Sequence, residues 1–217
     1  MTTESLASLQ SDLAETLRAA DLKVADELFA AVDVMDTSAS LRRSLTDLRG
    51  SPQSVPAVVR RLFGDKAAST TVAVLEAVAS RRWSRARDLS DAVETLAVTT
   101  VAAVAERGGL HGLEELEAQL LGFRRTVSES HELQRALADG QAPDEAKQKL
   151  AARLSPQASS EARLLIDRTV TAPVVCARQR CWHASRSRWL RGSIVGLPRS
   201  PWRRASTAPT SRSFRQV

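Results

Sequence analysis

Residues 96–105 read LAVTTVAAVA, ten residues without a charge between Glu94 and Glu106. A surface helix shows one polar face, whereas this stretch is apolar nearly all round. It is too short to span a bilayer, which takes about 20 apolar residues. The sequence therefore predicts a helix over about residues 88–107 that lies centrally in a bundle. The alternative is a helix that packs on its own core with one face and on a partner with the other.

Helical periodicity continues on both sides of this stretch, because Leu and Val recur there at three- and four-residue spacings. No segment of residues 1–170 alternates with period two, so no strand is predicted and the fold class is all-α. Ser51-Pro52 is a favourable helix start, and Gly64-Asp65 and Gly108-Gly109 are expected to end helices. The residues predicted to face the core in successive helices are Leu6, Leu9, Leu13 and Leu17; Val24, Leu28, Ala31, Val32 and Met35; Leu41, Leu45 and Leu48; Val55, Val58, Val59 and Leu62; Val72, Leu75 and Val78; Leu113, Leu116, Leu120 and Phe123.

A weak internal repeat relates two parts of the chain. Shifting residues 28–62 by 92 positions onto residues 120–154 gives eight identities in thirty-five pairs, where about three are expected by chance. Leu41/Leu133 and Leu45/Leu137 are among these identities. We interpret the repeat as two copies of one helical unit, although any two Leu-rich helical hairpins could align this well. The predicted units are residues 1–87, a partial repeat, and residues 88–171.

Charge is divided unevenly along the chain. Residues 1–167 hold all 25 acidic side chains and 20 basic ones, a net charge of −5, whereas residues 168–217 hold 11 Arg and no acid. Averaging the two parts into a pI near 10.3 would suggest a nucleic-acid-binding protein. The basic part is therefore considered separately from the helical body.

The 217 residues carry little that points to chemistry. The N-terminal sequence MTTESLASLQSDLAETL has acids where a signal peptide has a basic and an apolar region, which favours a cytoplasmic protein. No GxxxxGK[ST] loop is present to hold phosphates. His111 and His131 lie in polar segments without acidic or nucleophilic partners. We therefore predict no catalytic, cofactor-binding or metal-ligating residue and no cofactor, and an enzyme is the least favoured class.

Residues 94–154, ETLAVTTVAAVAERGGLHGLEELEAQLLGFRRTVSESHELQRALADGQAPDEAKQKLAARL, resemble the N-terminal domain of the F-type ATP synthase delta subunit. Its mitochondrial counterpart is the oligomycin-sensitivity-conferring protein. The matching pattern has an Ala-rich helix, a Gly before Leu, a helix ending in Leu and Phe, a short LxxxL helix and a Pro-x-x-x-Lys-x-x-Leu helix. The residues that carry it here are Gly109-Leu110; Leu116, Leu120 and Phe123; Leu133 and Leu137; Pro143, Lys147 and Leu150.

The resemblance covers about residues 88–171. Longer delta subunits of the actinobacterial kind carry an additional N-terminal repeat similar to residues 20–87, and the use of 27 Arg against 4 Lys fits a GC-rich genome of that kind. The sequence departs from the family in two places. The first family helix often begins with Tyr, which this chain lacks, and the family ends in an α/β segment that nothing here matches.

The resemblance implies a non-catalytic peripheral-stalk subunit of the proton-translocating ATP synthase, on the cytoplasmic side of the plasma membrane. Its helical bundle would bind the N-terminal helices of the alpha subunits, and its C-terminal part would bind the b-type stalk, here weakened. A groove for a partner helix would use apolar anchors on one helix face. The residues expected to form its walls, with ordinary core as the alternative, are Val93, Ala97, Val101 and Val104 on one side and Leu164 and Leu165 on the other.

Residues 172–217 form an Arg/Ser/Trp-rich tail without helical or strand periodicity. A metal site at Cys176, Cys181 and His183 is disfavoured because it offers three ligands and no fourth. Another function for the tail is a basic arm that binds nucleic acid, in a helical nucleic-acid-binding or regulatory protein. We favour a third explanation, an out-of-frame translation of the normal C-terminus, because the resemblance and the composition both change at Thr171-Ala172-Pro173. Such a tail is expected to be disordered and not to bind nucleic acid.

Overall fold

The computed structural model describes residues 3–46 and 54–171. The described part is entirely helical apart from its turns, with no strand, which confirms the predicted fold class. The predictions for the tail, for Leu48 and for the start at Ser51-Pro52 lie outside the described residues. The helices are α1 (Thr3–Asp12), α2 (Ala14–Ala19), α3 (Leu22–Thr37), α4 (Ala39–Thr46), α5 (Ser54–Phe63), α6 (Ser69–Ala79), α7 (Ala86–Glu106), α8 (Gly109–Ser128), α9 (His131–Ala138), α10 (Asp144–Leu154) and α11 (Ser160–Thr171).

The predicted stripes of apolar residues face the core in most places. Leu6, Leu9 and Leu17 are buried as predicted. Their segment forms two helices and not one, because the backbone departs from helical geometry at Leu13 (φ −96°, ψ 0°). All five predicted residues of α3 are buried as well. Val58 of α5 is the exception, with 36% of its surface exposed.

Two apolar cores hold the helices together. The main core joins residues of α1–α7 with Leu116, Ala162 and Leu165 of the later helices. A smaller core is formed by Phe123, Ala151, Ile166 and Val170. The main core therefore crosses the predicted boundary between residues 87 and 88, and the division into two units at that position stays a prediction.

Helix α6 is attached to α3 through its N-terminus. The residue that precedes α6, Ala68, has no side chain that could cap the helix. The Glu27 carboxylate of α3 takes this place, because it accepts hydrogen bonds from the backbone N–H of Ala68 (2.8 Å) and from the hydroxyl of Thr71 (2.5 Å). A carboxylate at this position also interacts favourably with the helix dipole.

The helix bounds follow the internal repeat. The limits of α4 and α9 differ by 92 residues at both ends, and those of α5 and α10 and of α6 and α11 differ by 90 to 92. Residues 95–104 of α7 stand 92 positions after α1. Helix α7 packs against α2, α3, α4 and α6 and also against α8 and α11, so it contacts helices of both predicted units.

The two copies also share a helix cap. The Ser38 hydroxyl accepts a hydrogen bond from the Leu41 N–H (3.2 Å), and the Ser130 hydroxyl accepts one from the Leu133 N–H (3.3 Å). We expect Ser38→Ala and Ser130→Ala each to lower the free energy of unfolding by about 1 kcal/mol, because each leaves one helix N–H without its acceptor. Urea denaturation measures the loss, and Ser128→Ala, at the exposed end of α8, is the control. A loss in only one of the two cap variants would contradict the equivalence of the caps.

Candidate partner-binding surfaces

The groove predicted from the sequence is closed in the structure. Val93, Ala97 and Val101 are 1% exposed or less and belong to the main core, where α3 packs along α7. Leu164 and Leu165 also pack into this core. The interpretation of Val93, Ala97 and Val101 as an open groove wall was therefore wrong, and the alternative of ordinary core is confirmed. Val104 is half-buried.

The orientation of α7 explains why no groove is left. Arg87, at the start of α7, pairs with Asp36 at the end of α3 (3.4 Å). Arg107, just after α7, donates to the backbone carbonyls of Arg18 (2.6 Å) and Ala20, just before α3. The two helices are therefore antiparallel over their length, and α3 occupies the face that a partner helix would need.

A charged cluster joins α11 to this helix pair. The Arg168 side chain is 12% exposed, and its Nη1 donates to Oδ1 of Asp33 on α3 (2.5 Å). Its Nε lies 4.0 Å from Oε1 of Glu94 on α7, and its guanidinium carbon lies 5.3 Å from the centre of the Phe29 ring. Composition groups Arg168 with the arginines of the tail, whereas the structure places it in the body. No local pattern around Asp33, Glu94 or Arg168 pointed to this cluster, because its members are far apart in the sequence.

Burial raises the pKa of Glu94 above its ordinary value of 4.5, and the nearby positive charge of Arg168 opposes this rise. The folded state therefore holds the Glu94 proton more tightly than the unfolded chain does. Ionisation of Glu94 thus costs stability: the cost is absent below the unfolded pKa and is fully present above the raised pKa of the folded state.

We expect Glu94→Gln to remove this cost. The free energy of unfolding at about pH 7 minus that at about pH 4 should be more positive in Glu94→Gln than in the unchanged protein. Urea denaturation at both pH values measures the difference. Glu129→Gln, at the exposed ion pair of Arg125 and Glu129, serves as the control. Equal pH differences in the unchanged protein and in Glu94→Gln would contradict the prediction.

Exposed large apolar side chains are divided evenly between the two predicted units. Among the described residues, the large hydrophobic residues with the most exposure are Val34, Val58, Leu110 and Leu121, of which the last two lie on α8. Next to α8, Leu133 and Leu137 of α9 are only half-buried. We refer to Glu117, Leu121 and Arg124 of α8 together with Leu133 and Leu137 of α9 as the α8–α9 face.

The described ranges were compared with the requirements of a metal site and of a membrane-spanning helix. They hold no group of three His, Cys, Asp or Glu side chains arranged to bind a metal ion. His111 and His131 are exposed. Within residues 3–46 and 54–171, no helix combines the length with the hydropathy that a bilayer span requires.

Comparison with known proteins gives clear relatives. The chain is 44% identical over 179 residues to ATP synthase subunit delta of Pseudarthrobacter chlorophenolicus and 42% identical over 179 residues to that of an Arthrobacter species. Each alignment covers 80% of this chain and 65% of the relative. The delta subunit of Renibacterium salmoninarum is 39% identical over 201 residues, which cover 85% of this chain and 74% of the relative. No protein-family model matches the chain.

Proposed function

Because the chain belongs to the ATP synthase delta-subunit family, we propose that it is a non-catalytic peripheral-stalk subunit of a proton-translocating F-type ATP synthase. The observation that carries this proposal is the 39% identity to a relative of which 74% is covered. The chain spans about two thirds of the length of the first relatives described above. The activity and the partners of the whole delta subunit are therefore stated for this chain as proposals.

Within the complex, the chain would link the catalytic head to the membrane stalk during ATP synthesis coupled to proton transport. It would lie on the cytoplasmic side of the plasma membrane, attached to the complex without crossing the bilayer. A link of this kind has to keep its shape under load. The burial of α7 in the main core supports this role, because densely packed interiors have low compressibility and transmit strain.

We assign two partners to the chain, the N-terminal helices of the alpha subunits and the b-type stalk subunit. Binding to the stalk is expected to be weakened, because the sequence of residues 172–217 departs from the family pattern. The names of the relatives give no support to the alternative of a nucleic-acid-binding protein. The acidic balance of residues 1–167 does not favour it either.

Capture of the catalytic head tests the proposal. The tagged full chain is mixed with purified head from an actinobacterial ATP synthase that has been stripped of its own delta subunit. We expect the head to be retained, and we expect loss of retention when the alpha subunits lack their N-terminal helices. A head that is not retained would contradict the proposed function, and retention independent of those helices would contradict the assigned contact.

A further inference from the structure

The Arg168 guanidinium lies between two carboxylates that belong to different helices. Its Nη1 donates to Oδ1 of Asp33 on α3 at 2.5 Å, whereas its Nε lies 4.0 Å from Oε1 of Glu94 on α7. A hydrogen bond from an arginine to a carboxylate is about 2.7–2.9 Å long, so only Asp33 is bonded. Nε is buried and donates no hydrogen bond within the described part of the chain. One guanidinium thus serves two carboxylates, with one N–H left over near Glu94.

The charged groups around Arg168 form a band that does not balance. The band consists of the carboxylates of Asp33, Asp36, Asp91 and Glu94 with the guanidinium groups of Arg42, Arg87 and Arg168. Arg42 of α4 and Arg87 of α7 both lie near Asp36, at 3.6 and 3.4 Å. Arg87 also donates to Asp91, at 3.2 Å. With every group ionised, the band carries one negative charge in excess, so it becomes neutral when one carboxylate binds a proton.

Glu94 is the carboxylate of the band that burial favours as the proton acceptor. Burial raises the pKa of Glu94 above its ordinary value of 4.5. The negative charges of Asp91 and Asp36 raise this pKa further, whereas the positive charges of Arg168 and Arg87 lower it. Solvent still reaches Glu94, whose side chain is 26% exposed, so the proton passes between the carboxylate and water.

The charge of Glu94 decides which carboxylate holds Arg168. When Glu94 is protonated, it does not compete, and the guanidinium stays on Asp33. When Glu94 ionises, a largely buried charge without a bonded partner is costly. Asp33 loses less when it is released, because its side chain is 52% exposed and water can solvate it. The ionised Glu94 therefore draws the guanidinium toward α7.

The surroundings of Arg168 permit this movement. Shortening the distance between Nε and Glu94 from 4.0 Å to a hydrogen bond requires a displacement of about 1 Å. The guanidinium carbon lies 5.3 Å from the centre of the buried Phe29 ring. The attraction between a cation and a ring face extends to about 6 Å, so the guanidinium can move along the ring and keep this contact. Arg168 belongs to the last turn of α11, which follows the side chain.

We propose that Arg168 is a two-position contact, which binds Asp33 while Glu94 is protonated and moves to Glu94 when Glu94 ionises. The last turn of α11 is thereby attached to α3 in the first state and to α7 in the second. Because residue 172 follows this turn directly, the device makes the end of the helical body responsive to pH.

The test follows the Nε–H signal of Arg168 by NMR in the full chain as the pH is raised from about 4 to about 8. The carboxyl carbon signal of Glu94 gives the midpoint of its ionisation, and Arg168→Lys identifies the Nε–H signal by removing it. We expect the Nε proton to shift downfield in one step at the Glu94 midpoint, since its N–H then forms a hydrogen bond. The amide signals of the last turn of α11 should shift with the same midpoint. An Nε–H signal that stays constant through this midpoint would overturn the proposal.

Substitution of Glu94 shows whether the step belongs to it. In Glu94→Gln the step should be absent, because no charge forms at this position. Glu129→Gln, at the exposed ion pair of α8, is the matched control and should leave the step unchanged. A step of equal size and midpoint in Glu94→Gln would assign it to another carboxylate and overturn the proposal.

Substitution of Asp33 distinguishes competition for Arg168 from a simple effect of charge. In Asp33→Asn the guanidinium is free to bind Glu94, so the Glu94 midpoint should fall by about one pH unit. Asp91→Asn is the control, because Asp91 acts on Glu94 through its charge and pairs with Arg87. A fall in Asp33→Asn no larger than that in Asp91→Asn would overturn the proposal. No component of an ATP synthase enters these measurements, so their failure leaves the proposed function untouched.

Discussion

Leu96→Ala is expected to lower the free energy of unfolding by about 2–5 kcal/mol. Leu96 lies in the middle of α7, is fully buried and belongs to the main core. Its truncation removes apolar contacts and leaves a cavity that the surrounding helices fill only in part. Since single domains have net stabilities of about 5–15 kcal/mol, this loss is a large share of the total. Urea denaturation, followed by circular dichroism at the helix band near about 222 nm, measures the loss of unfolding free energy.

Leu110→Ala is the matched control for Leu96→Ala. It deletes the same atoms from a side chain that is 73% exposed, so its effect should stay within about 0.5 kcal/mol. Ala97→Leu adds a test of the closed groove. An open groove would accept the larger side chain, whereas the packed core should lose about 1–3 kcal/mol. Equal stabilities of Leu96→Ala and Leu110→Ala would show that α7 is not buried as described.

Arg168→Ala is expected to cost about 2–3 kcal/mol of unfolding free energy. Removing one partner of a fully buried ion pair costs about 3–5 kcal/mol, and the value here is smaller because the Asp33 side chain is 52% exposed. The substitution also removes the positive charge next to Glu94 and the contact with Phe29. Chemical denaturation of the full chain measures the loss.

Arg125→Ala provides the reference for Arg168→Ala. Arg125 pairs with Glu129 on the surface of α8, where both side chains are largely exposed, and such pairs contribute about 0–1 kcal/mol. Arg168→Lys should fall between the two, because it keeps the charge and loses the planar donor group. If Arg168→Ala destabilises the protein no more than Arg125→Ala does, the cluster does not connect α11 to α3 and α7.

Local pattern was sufficient to predict most of the helices and most of the core residues. The stripe of Val24, Leu28, Ala31 and Met35 repeats with the period of a helix, and that period depends only on residues close in the sequence. The repeat also paired the segment of α4 with that of α9 through Leu41/Leu133 and Leu45/Leu137, and both segments form helices of equal length.

The partner of each helix could not be predicted in the same way. The pattern of residues 96–105 indicates burial on several sides, but it does not tell whether another helix of the chain or another protein covers them. Here α3 does so, which closed the groove that we had expected at Ala97. The pair of Arg168 and Asp33 spans 135 residues, and no local spacing encodes a contact of that range.

The place of α7 in the main core sets an order of events during synthesis. Residues emerge from the ribosome from the N-terminus onward, at about 5–20 residues per second. The main core cannot close until residue 106 has emerged, because α7 packs along α3 and against α2, α4 and α6. Until then, α3 and α4 lack the helix that covers their apolar side chains in the folded chain. A nascent chain that stalls before residue 86 would therefore be a candidate for chaperone binding and for aggregation.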